Sequence, residues 1–369
     1  MVENYSHYFH VFALTRPFEI FLDKSGVLKK HSKACLNGRT WLDFHLEYAN
    51  DFMGLFNKKG FFGHMFIAEY SHDSSDRLSM ADDDLYNFLV NFKENKPISD
   101  TTILILFSDH GPRFSSNRKS IKGLLEERNP FFSIYLPSLF EQKYKKEHDT
   151  FKSNANKLTT PMDIYHTLAD LINMESNKET PKLDDNERSK SLFKSISSDR
   201  TCKEAGISAH WCACLKRTEL LVDDNLIMIA TKFLDYINNF VLKDHLDKCM
   251  KLELDKLNNA YLLDSILATS PKRAIGKSKK FNLLTPPPVE KDYDQYFFQI
   301  VTKPNNGIYE FTLTYEFNLK LENFDKIDNK TLNKFELNEN SISRINKYGN
   351  DPHCIYDDFP HLRKYCYCK

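Results

Sequence analysis

Apolar residues in the first half of the chain switch between two spacings, and the switches predict its elements. Leu42, Leu46, Ala49, Met53 and Phe56 recur every three or four residues, which predicts a helix over 40–56 with Gly60 as its stop. Residues 61–70 read as a strand and 71–84 as a polar loop rich in acid. Leu85, Phe88, Leu89 and Phe92 form one face of a second helix over 84–92. Residues 101–108, β-branched and apolar almost throughout, predict a fully buried strand of a parallel sheet. Another strand is predicted over 131–136, closed by Pro137. Thr160, Pro161 and Asp163 open a further helix with a capping residue, a proline at the first position and an early acid. Its face is Ile164, Leu168, Leu171 and Ile172. Strands alternating with helices predict the α/β class with a layered sheet.

The second half is patterned differently. Residues 175–190 are charged and weakly apolar, a surface excursion, and 220–267 predict a longer helical region with interruptions. Residues 271–280 are basic, and Pro286, Pro287 and Pro288 make a stiff connector. Residues 293–303 and 308–317 then predict strands of a small β-rich terminal unit closed by cysteines.

Length and charge narrow the partners. The 369 residues suffice for one large α/β domain plus a smaller unit. Lys+Arg and Asp+Glu are equal at 51 each, so net charge gives no case for nucleic acid or a membrane surface. The basic run 271–280 reads as a solvated linker in preference to a polyanion site. No stretch approaches the ~20 apolar residues of a membrane span. The first eight residues lack the basic flank and apolar core of a signal peptide.

The cysteines point the other way. Six of the eight fall in two similar arrangements, Cys202, Cys212, Cys214 and Cys354, Cys366, Cys368. A Cys-x-Cys pair puts both sulfurs on one face of an extended strand, where each can bridge to a different partner. Zinc ribbons and fingers use wider spacing, so disulfides are favoured over structural zinc, and with them an oxidising compartment. Asn4-Tyr5-Ser6 and Asn329-Lys330-Thr331 fit the N-glycosylation pattern. Oxidised cysteines without an export signal predict a true N-terminus upstream of Met1, in a protein of the secretory pathway or the extracellular space.

The candidate chemistry sits where the buried run ends, at Ser108-Asp109-His110-Gly111. Open α/β sheets place their chemistry at the carboxyl ends of strands. Asp109 offers a hard oxygen and His110 a borderline nitrogen, a set suited to a divalent metal such as zinc. Gly111 lets the backbone turn away so that both face one ion. The competing reading has Asp109 capping the next turn and His110 at the surface. A second polar cluster, Glu69-Tyr70-Ser71-His72-Asp73, follows the strand predicted from residue 61. Two such turns at one edge of a parallel sheet would bring His72 toward Asp109 and His110.

These pieces carry a resemblance. Tyr70-Ser71-His72-Asp73, Phe107-Ser108-Asp109-His110-Gly111-Pro112-Arg113 and Thr160-Pro161-Met162-Asp163-Ile164 are similar to the alkaline phosphatase and sulfatase superfamily. Within it they resemble an animal family classed as a domain of unknown function, number two-two-nine. Arg200 to Ile207, Trp211-Cys212-Ala213-Cys214, Ser343 to Gly349 and Tyr365-Cys366-Tyr367-Cys368 fit the same family, so the resemblance spans nearly the whole chain. It implies an alkaline-phosphatase/sulfatase-like layered sheet with helices on both faces, incomplete at its N-terminus, over 1–200. A helical cysteine-bearing extension over 201–285 and the small β-rich unit over 286–369 would follow.

The implied activity is metal-dependent hydrolysis or transfer of a phosphate or sulfate ester, with zinc or calcium on Asp109 and His110. His72 would lie beside the metal and contact the substrate's anionic group or a second ion. Arg113 and Arg118 follow the pair, either as oxyanion contacts or as surface loop arginines. Superfamily enzymes begin with a strand ending in an acidic ligand and a Thr, Ser or Cys nucleophile. The nearest approach here, Asp23-Lys24-Ser25-Gly26, has no buried strand leading into it. Hydrolase activity therefore requires a nucleophile from sequence upstream of Met1. The alternative is a catalytically inactive extracellular binding protein that keeps the fold. An interaction module held by zinc on the Cys-x-Cys clusters ranks below both.

Overall fold

The computed structural model describes residues 35–36, 38–68, 70–71, 75–174, 188–265, 293–316 and 335–369. His72, the stretch 23–26, the two glycosylation patterns, the basic run 271–280 and the triple proline lie outside them. The chain divides into two compact units, Met1–Ile105 with Ile134–Lys143, and Leu106–Ser133 with Tyr144–Lys369.

The first unit is built on two helices. Helix α1 (Trp41–Phe56) starts where the Thr40 side chain accepts a hydrogen bond from the Asp43 backbone N–H at 3.0 Å. Helix α2 (Asp82–Glu94) carries three acids in its first turn, where they oppose the positive end of the helix dipole. Leu42, Leu46 and Met53 of α1 and Phe88 and Phe92 of α2 are buried together with Tyr70, Ala81 and Ile98. Ala49, Leu85 and Leu89 pack at the edge of this core, so the predicted helical faces are the buried ones. The predicted strand over 61–70 is absent: 61–68 form no ladder, and Phe62 and Phe66 are exposed. An apolar run becomes a strand only where a neighbour takes up its backbone groups.

The run 101–108 is divided. Thr101 and Thr102 donate their backbone N–H groups to the Ile98 carbonyl at 3.1 and 2.9 Å, closing the preceding turn. Only Leu104–Phe107 (β1) is a strand, and it forms a two-stranded sheet with Phe132–Tyr135 (β2). Its residues are half-buried to exposed, not fully buried as the run suggested.

The second unit is organised by a five-stranded antiparallel sheet: β3 (Leu215–Glu219), β4 (Glu253–Ser265), β5 (Tyr293–Lys303), β6 (Ile308–Glu316) and β7 (Phe335–Arg344), in that order. One face packs on helix α3 (Asp224–Tyr236), capped by Asp223, whose carboxylate accepts the Leu226 N–H at 2.9 Å. Leu226, Ile229, Ala230, Phe233 and Leu234 of α3 meet Phe298 and Ile300 of β5 and Tyr309, Phe311, Leu313 and Tyr315 of β6. The Phe233 and Phe311 rings stack within this core. The predicted strands therefore form as the pattern indicates, over Tyr293–Lys303 and Ile308–Glu316. Residues 253–265 do not: they are a strand where a helix is predicted.

The cause of that difference lies in two β-bulges. The β4–β5 register shifts between Leu254 and Lys256 and again between Leu257 and Asn259. Each bulge adds a residue before the alternation resumes. The positions facing the α3 core become Leu254, Leu257, Ala260 and Leu262, a spacing that imitates a helix.

Three disulfides close the unit: Cys202–Cys212, Cys249–Cys366 and Cys354–Cys368. Cys366 and Cys368 bridge to different partners, Cys249 and Cys354. Overall the class is mixed helix and sheet. No helix among the described residues is long and apolar enough to cross a membrane.

Candidate functional site

Asp109 and His110 follow β1 directly. Ser108 fastens the turn to the neighbouring strand: its backbone N–H donates to the Phe131 carbonyl at 2.9 Å, and its hydroxyl accepts the Phe131 N–H at 2.9 Å. Asp109 Oδ1 accepts the His110 backbone N–H at 2.8 Å, which leaves Oδ2 directed at the imidazole. His110 Nδ1 lies 2.7 Å from the Gly111 carbonyl, and a nitrogen in that position carries the proton. In the neutral ring the lone pair is then on Nε2, which lies 3.5 Å from Asp109 Oδ2.

This donor set fits a divalent cation. Two ligand atoms about 2.0 Å from one tetrahedral ion are about 3.3 Å apart, close to the separation here. An Nδ1–H donating to a backbone carbonyl is the usual outer-shell arrangement of a metal-binding histidine. The side chains of Asp109 and His110 are 59% and 36% exposed, so an ion reaches them from solvent. Among the described residues, no third His, Cys, Asp or Glu joins them in a three-ligand cluster; the clusters of that size are all cysteine.

Gly111 serves a different purpose from the one its flexibility suggests. A Cβ at this position would lie 2.1 Å from the Glu126 carbonyl oxygen and 2.8 Å from Glu127 Cα. The Gly111 N–H donates to the Glu127 carbonyl at 3.0 Å. The glycine is there because two backbones touch, and it seats the Asp109–His110 turn on helix α4 (Ile121–Arg128).

Arg113 is exposed, whereas Arg118 is fully buried and so is neither a surface arginine nor an open oxyanion contact. Its Nη1 and Nη2 donate to both oxygens of Glu310 at 2.8 and 2.7 Å, and its Nε donates to Glu127. Glu310 sits on the β6 face opposite α3, fully buried, and also accepts from Gln299 Nε2 at 3.1 Å. The two carboxylates hold the Arg118 guanidinium charged against the desolvation that opposes it. Arg128 is ion-paired with Glu310 at 3.5 Å, and its three buried nitrogens make no hydrogen bond among the described residues. Burial, the largest influence, lowers its pKa to about 10.

Two further buried polar nodes complete the unit. His210 lies between Thr312 Oγ1 at 2.9 Å and Ser343 Oγ at 3.0 Å, with its ring stacked on Phe297. Burial first, then Arg128, Arg118, Lys364 and Arg217, hold its pKa well below the ordinary histidine value. Asp163, at the start of helix α5 (Pro161–Asn173), accepts from the Thr160 N–H at 2.6 Å and the Lys190 N–H at 2.6 Å. Arg200 donates to both of its oxygens at 2.8 and 3.1 Å. Asp163 is thus saturated by protein donors, and it ties the returning chain to the helix start. On the same helix Ile172 is exposed, not part of the buried face predicted for it.

Sequence reasoning missed the Arg118–Glu310 pair because 192 positions separate the two residues. No curated protein matches the chain, and no solved structure matches it. Residues 14–258 match the family DUF229, described as a protein of unknown function. That match covers well over half of the chain, which therefore belongs to the DUF229 family.

Proposed function

We propose that the protein is a secreted, metal-dependent member of the alkaline phosphatase and sulfatase superfamily, with the layered α/β sheet of that superfamily. It acts on an anionic phosphate or sulfate ester. Asp109 and His110 would hold zinc or calcium, and His72 would meet the substrate's anionic group. The observation that carries the reading is the 3.5 Å approach of Asp109 Oδ2 to His110 Nε2, with Nδ1 tied to the Gly111 carbonyl. Membership of DUF229 and a strand-end position for the pair support it. Bound there, a divalent cation would stabilise charge on the ester's non-bridging oxygens. The residues present orient the ligands: Gly111 and Ser108 fix the turn, and the carbonyl fixes the tautomer. The three disulfides favour an oxidising compartment and hence secretion.

The test is calorimetric titration of the purified chain with zinc and with calcium, alongside hydrolysis of 4-nitrophenyl phosphate and 4-nitrophenyl sulfate. Asp109→Ala is expected to weaken metal binding at least ~10-fold, as loss of one good ligand does. Metal bound at this pair without turnover of either ester would replace the enzyme with a binding protein. Unchanged metal affinity in Asp109→Ala would remove the site itself.

A further inference from the structure

The two Cys-x-Cys pairs differ in how their sulfurs are used. In Cys366-x-Cys368 both are bridged, to Cys249 and Cys354. The Cys354 and Cys366 sulfurs lie 3.9 Å apart, yet both already belong to disulfides, so no thiolate is present to start an exchange. In Cys212-x-Cys214 only Cys212 is bridged, to Cys202, while Cys214 is a free thiol at the surface. The sulfurs of Cys202, Cys212 and Cys214 all lie within 4.8 Å of one another. A reduced sulfur, exposed to solvent base, therefore faces an intact disulfide at near-reaction distance.

We propose that these three residues form a thiol–disulfide exchange centre in which Cys202 alternates between Cys212 and Cys214. Cys214 loses its proton to solvent, and its thiolate attacks Cys202 Sγ. The Cys202–Cys214 bond forms as the Cys202–Cys212 bond breaks, and Cys212 leaves as a thiolate that takes up a proton. Electrons and atoms balance within the three sulfurs, with no outside oxidant. The local chain suits the exchange. Residues 201–212 are turns, held by the Ile207 N–H to the Cys202 carbonyl at 2.8 Å and the Cys212 N–H to Ser208 at 3.0 Å. Cys214 stands immediately before β3, whose pairing with β4 fixes one end of the segment. The two pairings differ in which sulfur is exposed. Cys212 is buried and Cys214 is not, so in the first state the reactive thiol is presented to small disulfides in solution, and in the second it is consumed.

The experiment is disulfide mapping of the full chain, quenched with N-ethylmaleimide and digested without reduction. Two linked sets are expected: Cys202–Cys212 with alkylated Cys214, and Cys202–Cys214 with alkylated Cys212. Their interconversion should slow in acid, because the attacking species is a thiolate and not a thiol. Cys214→Ser should leave only the first set. Cys212→Ser, incubated with oxidised glutathione, should give a Cys202–Cys214 link. A wild-type map with a single pairing, or with Cys214 bonded to any other sulfur, overturns the proposal even if Cys212→Ser fails to fold.

Discussion

Glu310→Gln is the substitution that tests the second unit most directly. The carboxylate is fully buried, accepts two N–H groups from Arg118 at 2.8 and 2.7 Å and one from Gln299 at 3.1 Å. Glutamine keeps the volume, removes the charge, and turns one acceptor into a donor that faces the guanidinium. Hydrogen bonds to charged groups are worth about 1.5–3 kcal/mol each, and at least one is lost outright. Removing one member of a buried ion pair costs about 3–5 kcal/mol, because the other charge stays desolvated. The two routes agree on a loss of about 3 kcal/mol or more. That is a large share of the 5–15 kcal/mol available to a folded domain. At about 2–4 °C per kcal/mol for a unit of this size, the midpoint should fall by at least about 6 °C. Thermal unfolding followed by circular dichroism measures it. The coupling follows from a cycle with Arg118→Met, where the double variant should lose less than the sum of the singles by over 1 kcal/mol. A variant within 1 kcal/mol of the parent, or strict additivity in the cycle, would refute the reasoning.

Three other expectations can be checked with the same instruments. Arg128→Met should cost less than about 1 kcal/mol or stabilise, since the guanidinium has no hydrogen bond among the described residues and methionine retains its apolar contacts. A loss above about 3 kcal/mol would show that the 3.5 Å ion pair with Glu310 outweighs the burial of the guanidinium. Stability should be full above the unfolded histidine pKa of about 6.5 and fall as pH drops below it toward the folded value. The unfolded chain takes up the proton that buried His210, facing Arg128, Arg118, Lys364 and Arg217, refuses. The slope is at most about 1.4 kcal/mol per pH unit for this group, and His210→Gln should flatten the stability profile between pH 5 and 6.5. Gly111→Ala should weaken metal binding at the Asp109–His110 pair, because the Glu126 carbonyl has to move away from a methyl placed 2.1 Å from it. Calorimetry with zinc showing parental affinity would contradict this.

What the sequence could convey follows from how local each feature is. Helices α1 and α2 are legible because their buried residues, Leu42, Leu46, Met53, Phe88 and Phe92, are set by spacing within one element. The pair Asp109–His110 is legible as candidate chemistry because both residues are adjacent in the chain. β4 is not legible: its two bulges convert an alternating strand into positions 254, 257, 260 and 262, and only the partner strand reveals the register. The stretch 61–68 shows the converse, a strand-like composition without a ladder. Glu310 gives no sign of its role, since an acid in a β-rich segment normally faces water, and its partner lies in another part of the chain.

The buried charges explain why the candidate site and the C-terminal sheet are one physical system. The Asp109–His110 turn rests on α4 through the Gly111 N–H and the Glu127 carbonyl. The Glu127 side chain holds Arg118, and Arg118 holds Glu310 near the start of β6. An apolar contact tolerates small slips, because its energy depends on area and not on direction. A bidentate guanidinium–carboxylate pair does not, since both hydrogen bonds must align at once. Placing that pair between α4 and the sheet fixes the helix against β6, and the helix in turn carries the turn where Asp109 Oδ2 and His110 Nε2 stand 3.5 Å apart. A metal site needs its ligands within about half an ångström of their working positions. The rigidity that the proposed site would require is available here from an ion pair 192 residues long in sequence and 2.7 Å long in space.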